Sequence, residues 1–244
     1  MFGKKSYTTP IGGYYELYSD MLKQSHLLIA GQTGSGKSVV INGIITTALY
    51  NTPNDNQFIF IDPKRVELCK YKTLPHCLYY ASEMQEMRIA LQAAMRIIDS
   101  RYQEMQKKQI VKYAGSHVYI VIDELADLLT TDKKNILPLL QRIGQVGRAA
   151  KVHIIAATQC PIAAILSTQL KVNFDSIIGL HTRSKQDSRN ITGFAGCENL
   201  PRYGQGYYIK PEGIDLYNIP MVAEEEQNRI TNHWRKQSRK SLFH

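Results

Sequence analysis

The feature that most narrows what this chain can fold into is the stretch Gly31-Gln32-Thr33-Gly34-Ser35-Gly36-Lys37-Ser38. It fills every fixed position of G-x-x-x-x-G-K-[ST], and its flanks supply the context such a loop needs. His26-Leu27-Leu28-Ile29-Ala30 reads as a buried strand. From Lys37 to Tyr50, Val39, Val40, Ile44, Ile45 and Leu49 recur at helical spacing. A strand feeding a glycine-rich loop that opens a helix is a cradle for phosphate. The glycines let backbone N–H groups close around phosphate oxygens, and the start of the helix adds positive potential. In such a cradle Lys37 reaches the outer phosphates of a nucleotide, and the Ser38 hydroxyl binds Mg²⁺.

The alternation of apolar runs and helical patterns continues along the chain. Residues 57–62 read as a second buried strand, closed by Pro63. Residues 82–107 read as a long helix, with Ser82 and Gln85 as its capping box and Met84, Met87, Leu91, Met95 and Ile98 as its inward stripe. Further strands are expected at 118–122, 152–157 and 176–180, with helices at 135–150 and 162–172 and a closing strand pair at 206–210 and 214–218. This pattern predicts an α/β fold, a mainly parallel central sheet flanked by helices on both faces with an antiparallel pair at its end. Residues 1–25 are expected to form a lead-in, 26–222 the body, and 223–244 a basic C-terminal helix or tail. That last segment begins with Glu224-Glu225-Glu226 and ends among Arg229, Arg235, Lys236, Arg239 and Lys240. This is the charge order a helix dipole prefers, and it reads as a solvated terminal helix.

The strand at 118–122 runs into Asp123-Glu124, at the carboxyl end of a very apolar run, where ligands gather in open α/β sheets. There Asp123 is a candidate for holding Mg²⁺ or its water, and Glu124 for polarising an attacking water toward the outermost phosphate. Gln159 follows the next strand, where an amide can sense that phosphate. Asp127 and Asp132 read as surface acids. Lysine plus arginine total 30 against 21 Asp plus Glu, and the resulting +9 favours a polyanionic partner. The four cysteines, Cys69, Cys77, Cys160 and Cys197, form no C-x-x-C pair, and His76 has no partner cluster, which argues against a thiolate metal site. Apolar stretches fall short of the roughly 20 residues that cross a bilayer, and the first residues lack a signal-peptide core. The chain reads as soluble and cytoplasmic.

Taken together, these residues resemble the motor domain of FtsK/SpoIIIE-type DNA translocases, which are RecA-like P-loop NTPases. The resemblance is carried by His26 to Gly31 running into the phosphate loop, Ile61-Asp62-Pro63-Lys64-Arg65-Val66-Glu67-Leu68, Val121-Ile122-Asp123-Glu124-Leu125-Ala126-Asp127-Leu128, Gly147-Arg148-Ala149-Ala150, Ala157-Thr158-Gln159 and Asp187-Ser188-Arg189. They stand in family order over about residues 10 to 220. The resemblance implies an ATPase using ATP and Mg²⁺, and a homo-oligomeric ring, a hexamer, with ATP between subunits. It implies double-stranded DNA in the pore and a membrane-anchored or DNA-loading partner. Residues 31–38 would bind ATP. Lys37, Asp123, Glu124 and Gln159 would be catalytic, with Arg189 offered as an arginine finger to a neighbour and Arg148 and Arg183 as its rivals. Loops near 130–135 and 160–171 would meet DNA, with Lys133, Lys134 and Lys171 as phosphate contacts. Cys160-Pro161 departs from the family pattern, which has an arginine after the glutamine. For Asp62, Lys64 and Glu67 a structural ion-pair network is expected. Polypeptide secretion and nucleotide-dependent assembly without motor activity are the alternative functions.

Overall fold

Apolar residues at nearly every position of the central strands leave no polar face for water, so the sheet they form has to be covered on both sides. The computed structural model describes residues 4–5, 13–159 and 173–241. In chain order the elements are β1 (Lys4–Lys5), α1 (Gly13–Leu22), β2 (His26–Ala30), α2 (Lys37–Asn51), β3 (Asn56–Ile61), β4 (Cys77–Ala81), α3 (Met84–Lys108), β5 (His117–Ile122), α4 (Leu125–Val146), β6 (Val152–Thr158), β7 (Ser176–Gly179), α5 (Lys185–Thr192), β8 (Gln205–Lys210), β9 (Gly213–Asn218) and α6 (Glu224–Ser241). Among the described residues the sheet has nine strands in the order β1-β9-β8-β7-β2-β6-β5-β3-β4. Neighbours run parallel except β7 with β8 and β8 with β9. This is the expected α/β architecture, with its antiparallel strands toward the end of the chain.

Successive strand residues point to opposite faces and into two separate cores. On one side Leu28, Ile59, Ile61, Val118, Ile120, Ile122 and Ile154 meet Met87, Leu91 and Ile98 of α3 and Leu128, Leu140 and Ile143 of α4. On the other Leu27, Ile29, Phe58, Phe60, Val121 and Ile155 meet Leu17, Tyr18 and Met21 of α1 and Ile41, Ile44 and Ile45 of α2. The segment before β2 thus contributes to the core. A Cβ on Gly43 would lie 2.2 Å from the Tyr18 ring, so the absent side chain is what lets α1 close on α2. Tyr18 then donates its hydroxyl proton to the Pro220 carbonyl at 2.6 Å. The terminal helix α6, read as solvated, instead seats one face on α2. Ile230 is buried, Trp234 Nε1 donates to the Leu49 carbonyl at 3.0 Å, and the Trp234 ring meets His76 edge-on at 4.8 Å.

Local details depart from the sequence reading for identifiable reasons. Helix α3 is capped one residue later than expected, by Glu83 with Glu86 rather than Ser82 with Gln85. The Glu86 carboxylate accepts from the N–H groups of both Ser82 and Glu83, at 3.0 and 3.1 Å. The expected loop at 130–135 is helical. Leu125, Leu128 and Leu129, then Ile136, Leu140 and Ile143, bury one continuous stripe, and only Asp132 leaves helical angles (φ −145, ψ 57). Its carboxylate accepts from the side-chain amide Nδ2 of Asn135 at 2.8 Å, one turn into the second half of α4. Strand β4 and helices α1 and α5 carried too little periodic signal to be anticipated. The helix expected at 162–172, the loop at 160–171, Cys160 and Lys171 lie outside the described residues.

At the amino-terminal rim of the strands, His26, His117 and His153 are stacked into a small network. His153 Nδ1 donates to the Ser25 carbonyl at 2.9 Å, so its Nε2 accepts from His117 Nδ1 at 2.8 Å. His26 Nδ1 accepts from the Ile154 N–H at 3.0 Å. Burial holds His153 down to about 3 and His26 and His117 down to about 4, helped at His117 by Lys151, Lys112 and Arg101. The folded chain keeps these imidazoles neutral while the unfolded chain protonates them below about pH 6.5, so protons favour unfolding. Stability is therefore expected to be full above pH 6.5 and to fall as the pH drops toward 4. Melting temperatures recorded from pH 7.5 to 4.5 should decline more steeply for the native chain than for His153→Gln. Parallel declines would contradict this account.

Candidate functional site

The phosphate loop leaves the carboxyl end of β2, in the middle of the sheet, between β6 and β7. Backbone bonds fix it from both flanks: Gly31 N–H donates to the Thr158 carbonyl at 3.3 Å and Gln32 N–H to the His181 carbonyl at 3.0 Å. Gly36, immediately before α2, sits at φ +100, a left-handed conformation that side-chain-bearing residues disfavour. Lys37 Nζ folds onto the loop and donates to the carbonyls of Gly31 and Gln32 at 2.8 and 3.0 Å. Ser35 Oγ is buried without a hydrogen-bond partner among the described residues.

Strand order brings the remaining candidates to this loop. Because β6 lies between β2 and β5, Gln159 at the tip of β6 stands between the phosphate loop and Asp123-Glu124 at the tip of β5. Its backbone N–H donates to Glu124 Oε1 at 3.1 Å, while its side-chain oxygen accepts from the Thr33 hydroxyl. Glu124 is 2% exposed. Its other oxygen faces Lys64 Nζ at 3.6 Å, and Lys64, 43% exposed, also lies 3.7 Å from Asp127. Asp123 is pushed up to about 6, chiefly by burial and then by the carboxylates of Asp62, Glu67 and Glu124, against the opposing pull of Lys64. A half-buried carboxylate crowded by other carboxylates, sharing a cleft with the Ser38 hydroxyl, is a hard-oxygen donor set of the kind that suits Mg²⁺.

The loop after β3 enters the site in a way its sequence did not disclose. Asp62 is not in an ion pair among the described residues. It is fully buried and accepts from the N–H groups of Val66 and Leu68 at 3.3 and 3.0 Å, which shapes the turn. That turn presents Lys64 and Glu67 to the cleft beside Lys37 and Asp123. Asp127, read as a surface acid, lines the adjoining part of the cleft with Glu124, Gln159, Arg183 and Asp187. No local pattern could have found these residues, because their roles depend on β3 pairing with β5.

The arginines separate clearly. Arg183 lines the cleft of its own chain. Arg148 follows α4 at the opposite rim, where it adds positive charge near His26. Arg189 is exposed on α5, outside the residues that line the cleft. Lys133 and Lys134 are exposed just beyond the break at Asp132.

The geometry has close relatives. The family model described as the FtsK/SpoIIIE family matches residues 13–120 and 114–163. The chain is 33% identical over 267 residues to DNA translocase FtsK of Rickettsia prowazekii (strain Madrid E), covering 91% of this chain and 36% of that protein. It is 32% identical over 272 residues to DNA translocase FtsK 1 of Neisseria meningitidis serogroup B, covering 97% and 33%. The chain therefore spans about a third of the length of these curated relatives. Among solved structures, the pCW3 conjugation coupling protein TcpA, in its monomer form with ATPγS, superposes with a TM-score of 0.76 at 19% identity, over 88% of this chain and 66% of that one. The cytoplasmic domain of the Thermomonospora curvata type VII secretion ATPase EccC gives 0.75 at 22% identity, over 86% and 28%. At these identities the likeness establishes the fold, that of P-loop ATPases.

A Cβ at Gly36 would meet no atom within 4 Å, so substitution there isolates backbone strain from packing. Gly36→Ala should lower stability by about 1–2 kcal/mol, read as an earlier midpoint in urea unfolding. An unchanged midpoint would mean that the loop does not need the left-handed geometry.

Proposed function

Because the chain belongs to the FtsK/SpoIIIE family, we propose that it is a motor unit that hydrolyses ATP and moves double-stranded DNA. The observation that carries this reading is the row of groups along three strand tips. Lys37 stands on the phosphate loop, Gln159 is joined to both that loop and Glu124, and Glu124 is buried beside them. Residues 31–38 would wrap the phosphates with backbone N–H groups, and Lys37 would exchange its loop carbonyls for phosphate oxygens. Ser38 and Asp123 would hold Mg²⁺, which when bound neutralises charge developing on the outer phosphates.

Glu124 would act as the general base. Its carboxylate is held from one side by the Gln159 N–H and approached from the other by Lys64, so it accepts a proton from water without having to be ordered first. Gln159 connects the two halves of the chemistry, since its amide meets Thr33 of the phosphate loop and its backbone meets the base. A change at the phosphates would thus be felt at Glu124. Arg189, exposed and outside its own cleft, is available to reach the site of a neighbouring copy in a homo-oligomeric ring, taken here as a hexamer.

The net charge of +9 and the DNA translocase relatives favour duplex DNA over a polypeptide as the cargo. Lys133 and Lys134 are exposed at the break in α4, roughly two and a half turns beyond Glu124. They would bind backbone phosphates irrespective of sequence. Lys171 is proposed for the same role. A membrane-anchored or DNA-loading partner would supply what a motor unit does not. Among the described residues no helix is long and apolar enough to cross a membrane.

Steady-state ATP turnover, with and without long duplex DNA, tests the assignment. Turnover of the native chain should rise with DNA. Lys37→Ala should abolish it, and Glu124→Gln should bind ATP yet lose at least 100-fold in turnover. Equal rates with and without duplex would reject DNA as the cargo, and normal turnover in Glu124→Gln would reject the base.

A further inference from the structure

Large apolar side chains left in water call for an explanation when two of them wall one ligand cleft. Val66 is 68% exposed and Tyr203 is 63% exposed. Both line the cleft that also holds Gly34, Gly36, Lys37 and Ser38. Tyr203 belongs to the turn Pro201-Arg202-Tyr203-Gly204, which enters β8. The neighbouring Arg202 lies against the phosphate loop. Its Nη2 is 3.2 Å from where a Cβ on Gly34 would stand, and its guanidinium lies 5.5 Å from the centre of the Tyr203 ring.

This turn is tied down on both sides. His181 donates its Nδ1 proton to the Leu200 carbonyl at 2.7 Å, while its own carbonyl receives the Gln32 N–H of the phosphate loop at 3.0 Å. On the far side the Gly204 carbonyl accepts from Ile219 N–H at 2.8 Å, and Gly204 turns the chain at φ +81. One histidine therefore joins the phosphate loop to the Arg202-Tyr203 turn. The backbone of the turn that carries Arg202 and Tyr203 is therefore anchored beside the place where phosphates would bind, which is the preorganisation a binding group needs.

We infer that Tyr203 and Arg202 form the second half of the nucleotide site, Tyr203 stacking on the heteroaromatic base and Arg202 contacting the phosphate chain. The inference rests on the phosphate-loop reading above. A flat base would cover the apolar surface that Tyr203 and Val66 now expose, and the guanidinium beside Gly34 would meet negative charge instead of water. Stacking reads ring area, so purine nucleotides should bind more tightly than pyrimidine ones.

Calorimetric titration with ADP and with inorganic tripolyphosphate, a probe that has phosphates and no base, tests the idea. Tyr203→Ala should weaken ADP binding about ten-fold while tripolyphosphate affinity stays at the native value, and Tyr203→Phe should restore ADP binding. Arg202→Ala should weaken both ligands. Both side chains are exposed, and matching melting temperatures of the unliganded proteins would exclude a folding defect as the cause. If Lys37→Ala loses ADP but Tyr203→Ala binds it as the native chain does, the base subsite is wrong and the phosphate site stands. If Lys37→Ala also binds ADP normally, the phosphate-loop reading falls, and this inference with it.

Discussion

One hydrogen bond, from the Gln159 N–H to the buried Glu124 carboxylate, joins the tips of two adjacent strands and sets the geometry of the whole cleft. It exists because β6 is inserted between β2 and β5, which are far apart in sequence. The insertion brings the phosphate loop, an amide and a carboxylate into one row at the carboxyl edge of a parallel sheet. Burying a carboxylate is costly unless it is hydrogen-bonded or paired, and here a backbone donor and Lys64 share that task. The same edge collects Asp62 and Glu67, whose carboxylates, after burial, push Asp123 up against the opposing pull of Lys64.

The two rims of the sheet divide the labour. At the carboxyl rim charged groups and left-handed glycines keep the backbone open to a ligand. The amino rim is closed by stacked histidines and a tyrosine, with His117, Tyr119 and His153 packed ring against ring at 5.0 to 5.8 Å. Their neutral imidazoles hold the beginnings of β5 and β6 in register without introducing charge into the core. The helices on the two faces make the sheet between these rims stiff. Small shifts at the phosphates are therefore expected to pass along strand tips rather than to be absorbed in the core.

What could be read from the sequence follows from how local each signal is. The phosphate loop was legible because strand, glycines, lysine and helix are contiguous, and Asp123-Glu124 because a long apolar run ends on them. Strand order was not legible, so Lys64, Glu67 and Asp127 looked like surface or structural charges although the pairing of β3 with β5 turns Lys64 and Asp127 toward Glu124. The capping box at Ser82 failed by one residue because Glu83 and Glu86 satisfy the same donors with a longer side chain. Helix α1 carried too little periodic signal to be read, and its close approach to α2, which depends on the absent side chain of Gly43, is invisible in either segment alone. Arg202 and Tyr203 sit in a turn whose significance comes from His181, some twenty residues earlier.

The central claim is that the cleft turns ATP hydrolysis into movement along a duplex. Displacement of a fluorescent third strand from a long double-stranded DNA measures that movement directly. The account predicts release that requires ATP, proceeds with the native chain and disappears with Glu124→Gln. A native chain that consumes ATP in the presence of the duplex while the third strand stays bound would contradict it.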